Sequence, residues 1–156
     1  QTFCAFMPKT QLYSDAAVES FIRPIYKKRL SSRGSGVTWD KGRITKPFED
    51  WIVQESVTIK EELRVYSIFG KVYPVAAVRT HMTEGSKAQA VASRELTPDE
   101  MAFSSQLLAD TTIDIVGIDL VRAEDSTLYL LEANRSPGFA KFTELTGANL
   151  ADILYG

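Results

Sequence analysis

The chain has 156 residues, 44% hydrophobic and 24% charged, with a formal net charge of -2. That is enough apolar material for one domain or two small lobes, and the slight acidity argues against a surface dedicated to nucleic acid. One cysteine, Cys4, excludes an internal disulfide framework, one histidine, His81, excludes a histidine-based metal cluster, and no run reaches the ~18 apolar residues of a membrane-spanning helix.

Phe3 to Phe6 reads as a short strand, with Cys4 as a small buried hydrophobe, ended by Pro8. Ser14-Asp15 is a helix cap before a short helix from Ala16 to Phe21, and Ile22 to Tyr26 returns to strand character. Lys27, Lys28 and Arg29 then lead into a turn from Ser31 to Val37 that is rich in serine and glycine. Trp39 to Ile44 reads as a small hairpin around Asp40-Lys41-Gly42. Trp51 to Thr58, Glu62 to Phe69 and Val72 to Arg79 read as antiparallel strands, the last two joined at Gly70-Lys71. Leu63 and Val65 alternate with Glu62 and Arg64, so one face of this sheet is buried. His81 to Gln89 is polar and reads as a loop.

Thr97-Pro98-Asp99-Glu100 opens a helix with a cap, a proline at the first position and acids in the first turn, running to about Ala109. Ile113 to Val121 and Thr127 to Ala133 are paired strands turning at Ala123 to Ser126. The tail from Phe139 to Gly156 is helical in two pieces divided at Gly147. This order of strands and helices gives the α+β class. Gln1 is not a natural initiator, so the chain reads as processed, trimmed or cut from something longer.

Three groups of residues carry chemistry. Asp119 lies between Ile118 and Leu120, where a carboxylate is costly without solvent, a cation or a partner. Glu132 and Asn134 are two apart and leave one face of a strand, and the hairpin can bring Asp119 alongside them. Three such oxygen donors suit a hard divalent cation such as Mg2+; the pattern equally suits a half-exposed hairpin with ordinary polar positions. In the turn, Gly34 and Gly36 let backbone amides approach a phosphate, Ser31, Ser32 and Ser35 add hydroxyls, and Lys27, Lys28, Arg29 and Arg33 add charge. It is not a Walker loop, because the lysine and following hydroxyl residue are missing. Third, Glu62 and Arg64 share a strand face and Arg79 ends the next strand; this is a phosphate clamp or a salt bridge between Glu62 and Arg64.

Taken in order, these segments resemble the ATP-grasp superfamily, most closely the carboxylate-amine and peptide ligases of the type that adds glutamates to a ribosomal protein. The resemblance rests chiefly on Gly117-Ile118-Asp119-Leu120 and on Leu130 to Gly138, and extends over nearly the whole chain. It implies an ATP-grasp fold of two small lobes with antiparallel sheets and packed helices. The amino-terminal lobe, residues 1–50, is abbreviated and carries the glycine-rich phosphate flap; residues 51–156 form the carboxy-terminal lobe with the metal-binding hairpin. It implies ATP and Mg2+ as cofactors, with Mn2+ as a substitute. Asp119, Glu132 and Asn134 fall at the metal ligands, and Arg64 and Arg79 at catalytic positions beside the triphosphate. Arg23, Lys27, Ser32, Gly34, Ser35, Gly36, Gln54, Glu55, Ser56, Val57 and Glu62 fall in the nucleotide site, with Glu62 at the ribose. Arg135, Ser136 and Gly138 fall in the acceptor loop, and His81 and Lys87 near the acceptor. Arg23 stands where the family usually has lysine, and the two are not equivalent.

The implied activity is phosphorylation of a carboxylate by ATP and attack of an amine on the acylphosphate. The implied partners are a small-molecule or peptide carboxylate acceptor and an amine donor, with no nucleic acid and no membrane, in the cytoplasm. A homo-oligomer or a missing amino-terminal domain or subunit would complete the acceptor site. The alternatives are an ATP-grasp kinase and a non-catalytic nucleotide-binding scaffold. Asp119→Ala and Glu132→Ala are expected to abolish metal-dependent turnover with the fold intact, and relief of repulsion between the two acids to raise stability.

Overall fold

The computed structural model describes residues 6–29, 36–79, 89–109 and 111–155. The strand expected at Phe3 to Phe6 (apart from Phe6), the flap residues 31–35, and residues 81–88 of the expected loop, including His81 and Lys87, lie outside the described residues. The described residues fall into two compact units, one within residues 7–58 and the other taking in residues 59–79 and 89–155. No helix among them is long and apolar enough to cross a membrane.

In the first unit, β1 (Thr10–Leu12), α1 (Asp15–Glu19), β2 (Pro24–Lys28), β3 (Val37–Thr38) and β4 (Trp51–Glu55) follow in chain order, and the antiparallel sheet runs β1-β4-β2-β3. The hydroxyl of Ser14 accepts the Ala17 amide at 3.0 Å, which starts α1 where the sequence places it. Ala17, Phe21, Tyr26, Trp51 and Val53 close the core, the indole of Trp51 donating to the Thr45 carbonyl at 2.9 Å. The hairpin expected at Trp39 to Ile44 is instead a 3-10 turn over Lys41–Arg43. The Asp40 side chain accepts the Gly42 amide at 2.8 Å, and this local cap replaces a strand ladder. β4 pairs with β1 and β2, so Trp51 to Glu55 belongs to this unit and the division falls near residue 58, not after residue 50.

The second unit is built on β5 (Ile59–Ile68), β6 (Lys71–Val72), β7 (Val75–Arg79), β8 (Ala90–Glu95), β9 (Ile115–Ala123) and β10 (Leu128–Asn134). The antiparallel path is β10-β9-β5-β7-β8, with β6 hairpinned onto β5. Phe69 and Gly70 turn that hairpin at φ of 50° and 74°, a left-handed pair whose second position suits glycine. Pro74 has no amide to donate, so the single strand expected from Val72 to Arg79 divides into β6 and β7.

The two faces of this sheet differ. Leu63, Val65, Ile118, Leu120 and Leu130 point to one side and are fully buried. On that side lies α2 (Pro98–Leu108), opened by the expected capping box at Thr97 and Glu100. Glu100 is wholly buried and accepts Arg94 at 2.8 and 2.9 Å and Arg122 at 2.7 Å, which ties α2 to β8 and β9. Glu61 of β5 accepts the same Arg94 guanidinium. On the other side lies α3 (Ala140–Thr146), where Phe142 packs on Tyr66 with ring centroids 4.4 Å apart. Gly147 ends α3 at a φ of 69°, and α4 (Leu150–Tyr155) follows, so the tail divides where the sequence indicates.

Candidate functional site

The α3 side of the second sheet collects the charged residues. β5 lies between β9 and β7, with Arg64 opposite Asp119 and Glu62 opposite Arg79. The Arg64 guanidinium grips both oxygens of Asp119, its Nε on Oδ1 and its Nη2 2.7 Å from Oδ2. Arg79 Nη1 bridges, 2.5 Å from Asp119 Oδ2 and 3.1 Å from Glu62 Oε1. No salt bridge joins Glu62 to Arg64, the bland pairing considered from sequence. Residues two apart on a strand are separated by about 7 Å, whereas cross-strand neighbours lie about 5 Å apart, so each charge takes its partner across the sheet.

These side chains are only 5–16% exposed. Burial pushes the Glu62 carboxyl up to about 7, helped by the charges of Asp119 and Glu132 and opposed by Arg79 and Arg64.

A β-bulge brings in the rest of the site. From Leu128 to Leu130, β10 faces Arg122 to Leu120; after the register shift Glu132 faces Asp119 and Asn134 faces Gly117. Without the extra residue, Leu131 would face Asp119, and Glu132 would fall on the apolar side with Ile118. One residue of slip reverses every side chain beyond it, so the bulge is what sets Glu132 and Asn134 beside Asp119.

The loop after β10 is held by contacts that sequence reasoning missed. Asn134 Oδ1 accepts the Ser136 amide at 2.9 Å, and the Tyr66 hydroxyl donates to the Gly138 carbonyl at 2.8 Å. Pro137 is buried over Gly117, where an added Cβ would lie 2.7 Å from the Pro137 Cβ and 3.3 Å from the Arg64 Cδ. A glycine inside an apolar strand was the available signal, since it marks close approach of another segment. Gly117→Ala is expected to displace Pro137 or Arg64 and to cost about 1–3 kcal/mol by overpacking, read as a lowered thermal midpoint.

Asp119, Glu132 and Asn134 fit a hard dication in kind, since all three donors are oxygens. Among the described residues, however, no three His, Cys, Asp or Glu side chains cluster to hold a metal. The set here is two carboxylates and an amide, and both Asp119 oxygens face guanidiniums. Asp119 is thus the buried counter-ion of two half-buried arginines. The expectation that Asp119→Ala leaves the fold intact or raises its stability is therefore replaced by its opposite.

In the first unit, Lys27 Nζ donates to Gln54 Oε1 at 2.5 Å and Gln54 Nε2 to Thr10 Oγ1 at 2.8 Å, with Gln54 1% exposed. The Glu55 carboxylate accepts the amides of Ile22 at 3.2 Å and Arg23 at 2.9 Å. Arg23 is exposed and its guanidinium donates to Thr58 at 3.0 Å. The Ser56 amide donates to the Arg23 carbonyl at 2.7 Å, the Gly36 carbonyl accepts Lys28 at 2.8 Å, and Val57 is half-buried. The Gln54 side chain is thus engaged within the sheet, and that of Glu55 by the chain entering β2. Ser32, Gly34 and Ser35 lie outside the described residues. Arg135 and Ser136 are exposed at the loop after β10.

Comparison with known proteins agrees with this architecture. A protein of Parasynechococcus marenigrum (strain WH8102) named "Probable alpha-L-glutamate ligase" is 35% identical over 101 residues, covering 60% of this chain and 21% of that protein. One of the same name from Alkalilimnicola ehrlichii is 29% identical over 77 residues, 49% of this chain and 24% of that protein. The chain thus spans a quarter or less of these relatives. Among solved structures, the ATP-grasp ligase PsnB complexed with a minimal precursor superposes with a TM-score of 0.67 at 19% identity, covering 94% of this chain and 53% of PsnB. The D-cycloserine synthetase DcsG gives 0.67 at 17% identity, covering 90% of this chain and 62% of the other. At such identities the likeness shows the fold, which is ATP-grasp. The sequence itself matches the RimK-like ATP-grasp domain over residues 43–155, from the end of the first sheet through the charged face to α4, and the chain belongs to that family.

Proposed function

We propose that the chain is the nucleotide-handling part of an ATP- and Mg2+-dependent ligase that joins a carboxylate to an amine. The observation that supports this most is the charged set of buried Glu62 and Asp119 with half-buried Arg64 and Arg79, with Glu132 and Asn134 beside it and the Pro137-Gly138 loop at its border. Evolution rarely buries this much charge on a sheet face for stability alone, because desolvation offsets most of the attraction. Family membership and the two glutamate ligases among its relatives point the same way.

In this reading Asp119, Glu132 and Asn134 hold Mg2+, which when bound neutralises charge on the β- and γ-phosphates. Arg64 and Arg79 grip phosphoryl oxygens and stabilise the charge that develops on them during transfer. The acceptor carboxylate oxygen attacks the γ-phosphorus, the bond to the bridging oxygen breaks, and ADP leaves with that electron pair. The amine nitrogen then attacks the acyl carbon, the carbon–oxygen bond to phosphate breaks, and the amine gives its proton to water. Backbone groups of Asn134 to Gly138, steadied by Tyr66, border the acceptor. The acceptor is a small molecule or peptide, and glutamate is the first amine to try.

Mg-ATP is expected to raise the thermal midpoint, since a ligand at 100 times its Kd adds about 2.7 kcal/mol to the native state. Glu132→Gln is expected to remove that rise. An amine-dependent condensation product, sought with glutamate across a panel of carboxylate acceptors, supports the ligase. A stable phosphorylated acceptor without condensation would replace the ligase by a kinase.

A further inference from the structure

The pairing of Asp119 bears on how a divalent cation enters the site. A metal ligand needs an available oxygen lone pair, and nearby cations oppose the metal's charge, yet both Asp119 oxygens lie on guanidiniums. Arg64, Arg79 and Asp119 are 14%, 16% and 8% exposed, so water and salt screen them little. A dication added to Asp119 with both arginines in place would be set against two unscreened positive charges. The arginines therefore leave only when another anion receives them. Arg79 already has Glu62 at 3.1 Å and still rests on Asp119 at 2.5 Å, so Glu62 alone does not draw it away. Phosphate oxygens suit the planar fork of a guanidinium.

We infer that Arg64 and Arg79 form a counter-ion latch on Asp119. Resting on its carboxylate, they hold back a divalent cation that arrives alone; when a nucleotide brings phosphate and metal together, they pass to the phosphate oxygens and free Asp119 for the metal. The latch makes metal entry conditional on nucleotide and keeps the carboxylate from being filled unproductively. It rests on the Mg-nucleotide reading above and adds a rule of order to it. Removing one guanidinium takes away a charge that competes for Asp119, so metal alone binds more tightly; because coupling between two ligands is reciprocal, metal and nucleotide then enhance each other by a smaller, equal factor.

The test uses Mn2+ as probe, with free ion followed by electron paramagnetic resonance on the whole chain and no nucleotide present. Arg79→Gln is expected to bind Mn2+ at least five-fold tighter than wild type, and adding Glu132→Gln to it is expected to cancel the gain. Equal or weaker Mn2+ binding by Arg79→Gln overturns the latch. Arg64→Gln provides the same comparison if Arg79→Gln does not fold. Wild type alone also reports: the Nε–H resonance of Arg64 should move with Mg2+ plus a non-hydrolysable ATP analogue and stay in place with Mg2+ alone. A resonance that moves with Mg2+ alone, or with neither, counts against the latch. Failure of the underlying reading looks different, since Glu132→Gln would then leave metal-dependent binding of the analogue unchanged.

Discussion

Asp119→Ala lowers the unfolding free energy by about 3–5 kcal/mol in metal-free buffer, while Glu132→Ala changes it by less than about 1 kcal/mol. The two acids face each other across the β9–β10 pair and read alike in the sequence. Their surroundings set them apart. Asp119 is buried and neutralises Arg64 and Arg79, so its removal leaves two guanidiniums in a poorly hydrated site. Glu132 is exposed, and water replaces whatever it loses. Set against a typical stability of about 5–15 kcal/mol, the first change brings the fold near its limit. Urea unfolding of both variants checks this, and an Asp119→Ala protein within about 1 kcal/mol of wild type would refute it. Turnover assays on Asp119→Ala must therefore be read beside its stability, and Glu132→Gln is the cleaner probe of metal dependence.

Glu100→Gln produces the second large effect, with a distinct pH signature. Burial raises the cost of ionising Glu100, but the Arg94 guanidinium, the Thr97 amide and Arg122 outweigh it and hold the carboxyl down at about 2. The ordinary value is 4.5, so the native state stabilises the ionised form and the unfolded chain binds its proton first. That stabilisation is complete above about 4.5 and is lost as pH falls toward 2. At about 1.4 kcal/mol per pH unit the displacement amounts to about 3 kcal/mol. Asp99 is held down in the same way by Arg122 and Thr97, but it is exposed and adds little. Glu100→Gln is expected to lose about 3 kcal/mol at pH 7 and to approach wild type near pH 2. Denaturant midpoints from pH 2 to 7 check this. A constant difference across that range would show that shape, and not charge, accounts for the role of Glu100.

Glu100 also shows how far local reading reaches. Thr97-Pro98-Asp99-Glu100 announces a helix start because a capping box lies within four consecutive residues, and the structure has it. That the same carboxylate holds Arg94 and Arg122 follows from where β8 and β9 pass, which no local pattern encodes. The short strand β1 and the partly exposed β8 gave too little apolar alternation to be recognised. Asp-Lys-Gly suits both a hairpin and the 3-10 turn found at Lys41–Arg43, and the Asp40 side chain decides between them by accepting the Gly42 amide.

By itself the sequence determined the α+β class, the buried face of β5 and β9, the helix starts, the break at Gly147, and the choice of Asp119, Glu132, Asn134, Arg64 and Arg79 as residues of interest. These depend on residue type and on periods of two or a few positions, which are local properties of a chain. Only the tertiary structure decided the partners. The order β9-β5-β7 gave Asp119 to Arg64 and Arg79, and Glu62 to Arg79. The bulge near Leu131 then turned Glu132 and Asn134 from the apolar side to the charged one. Register between distant strands is fixed by what packs on each face of the finished sheet, so a slip of one residue cannot be read from either strand alone.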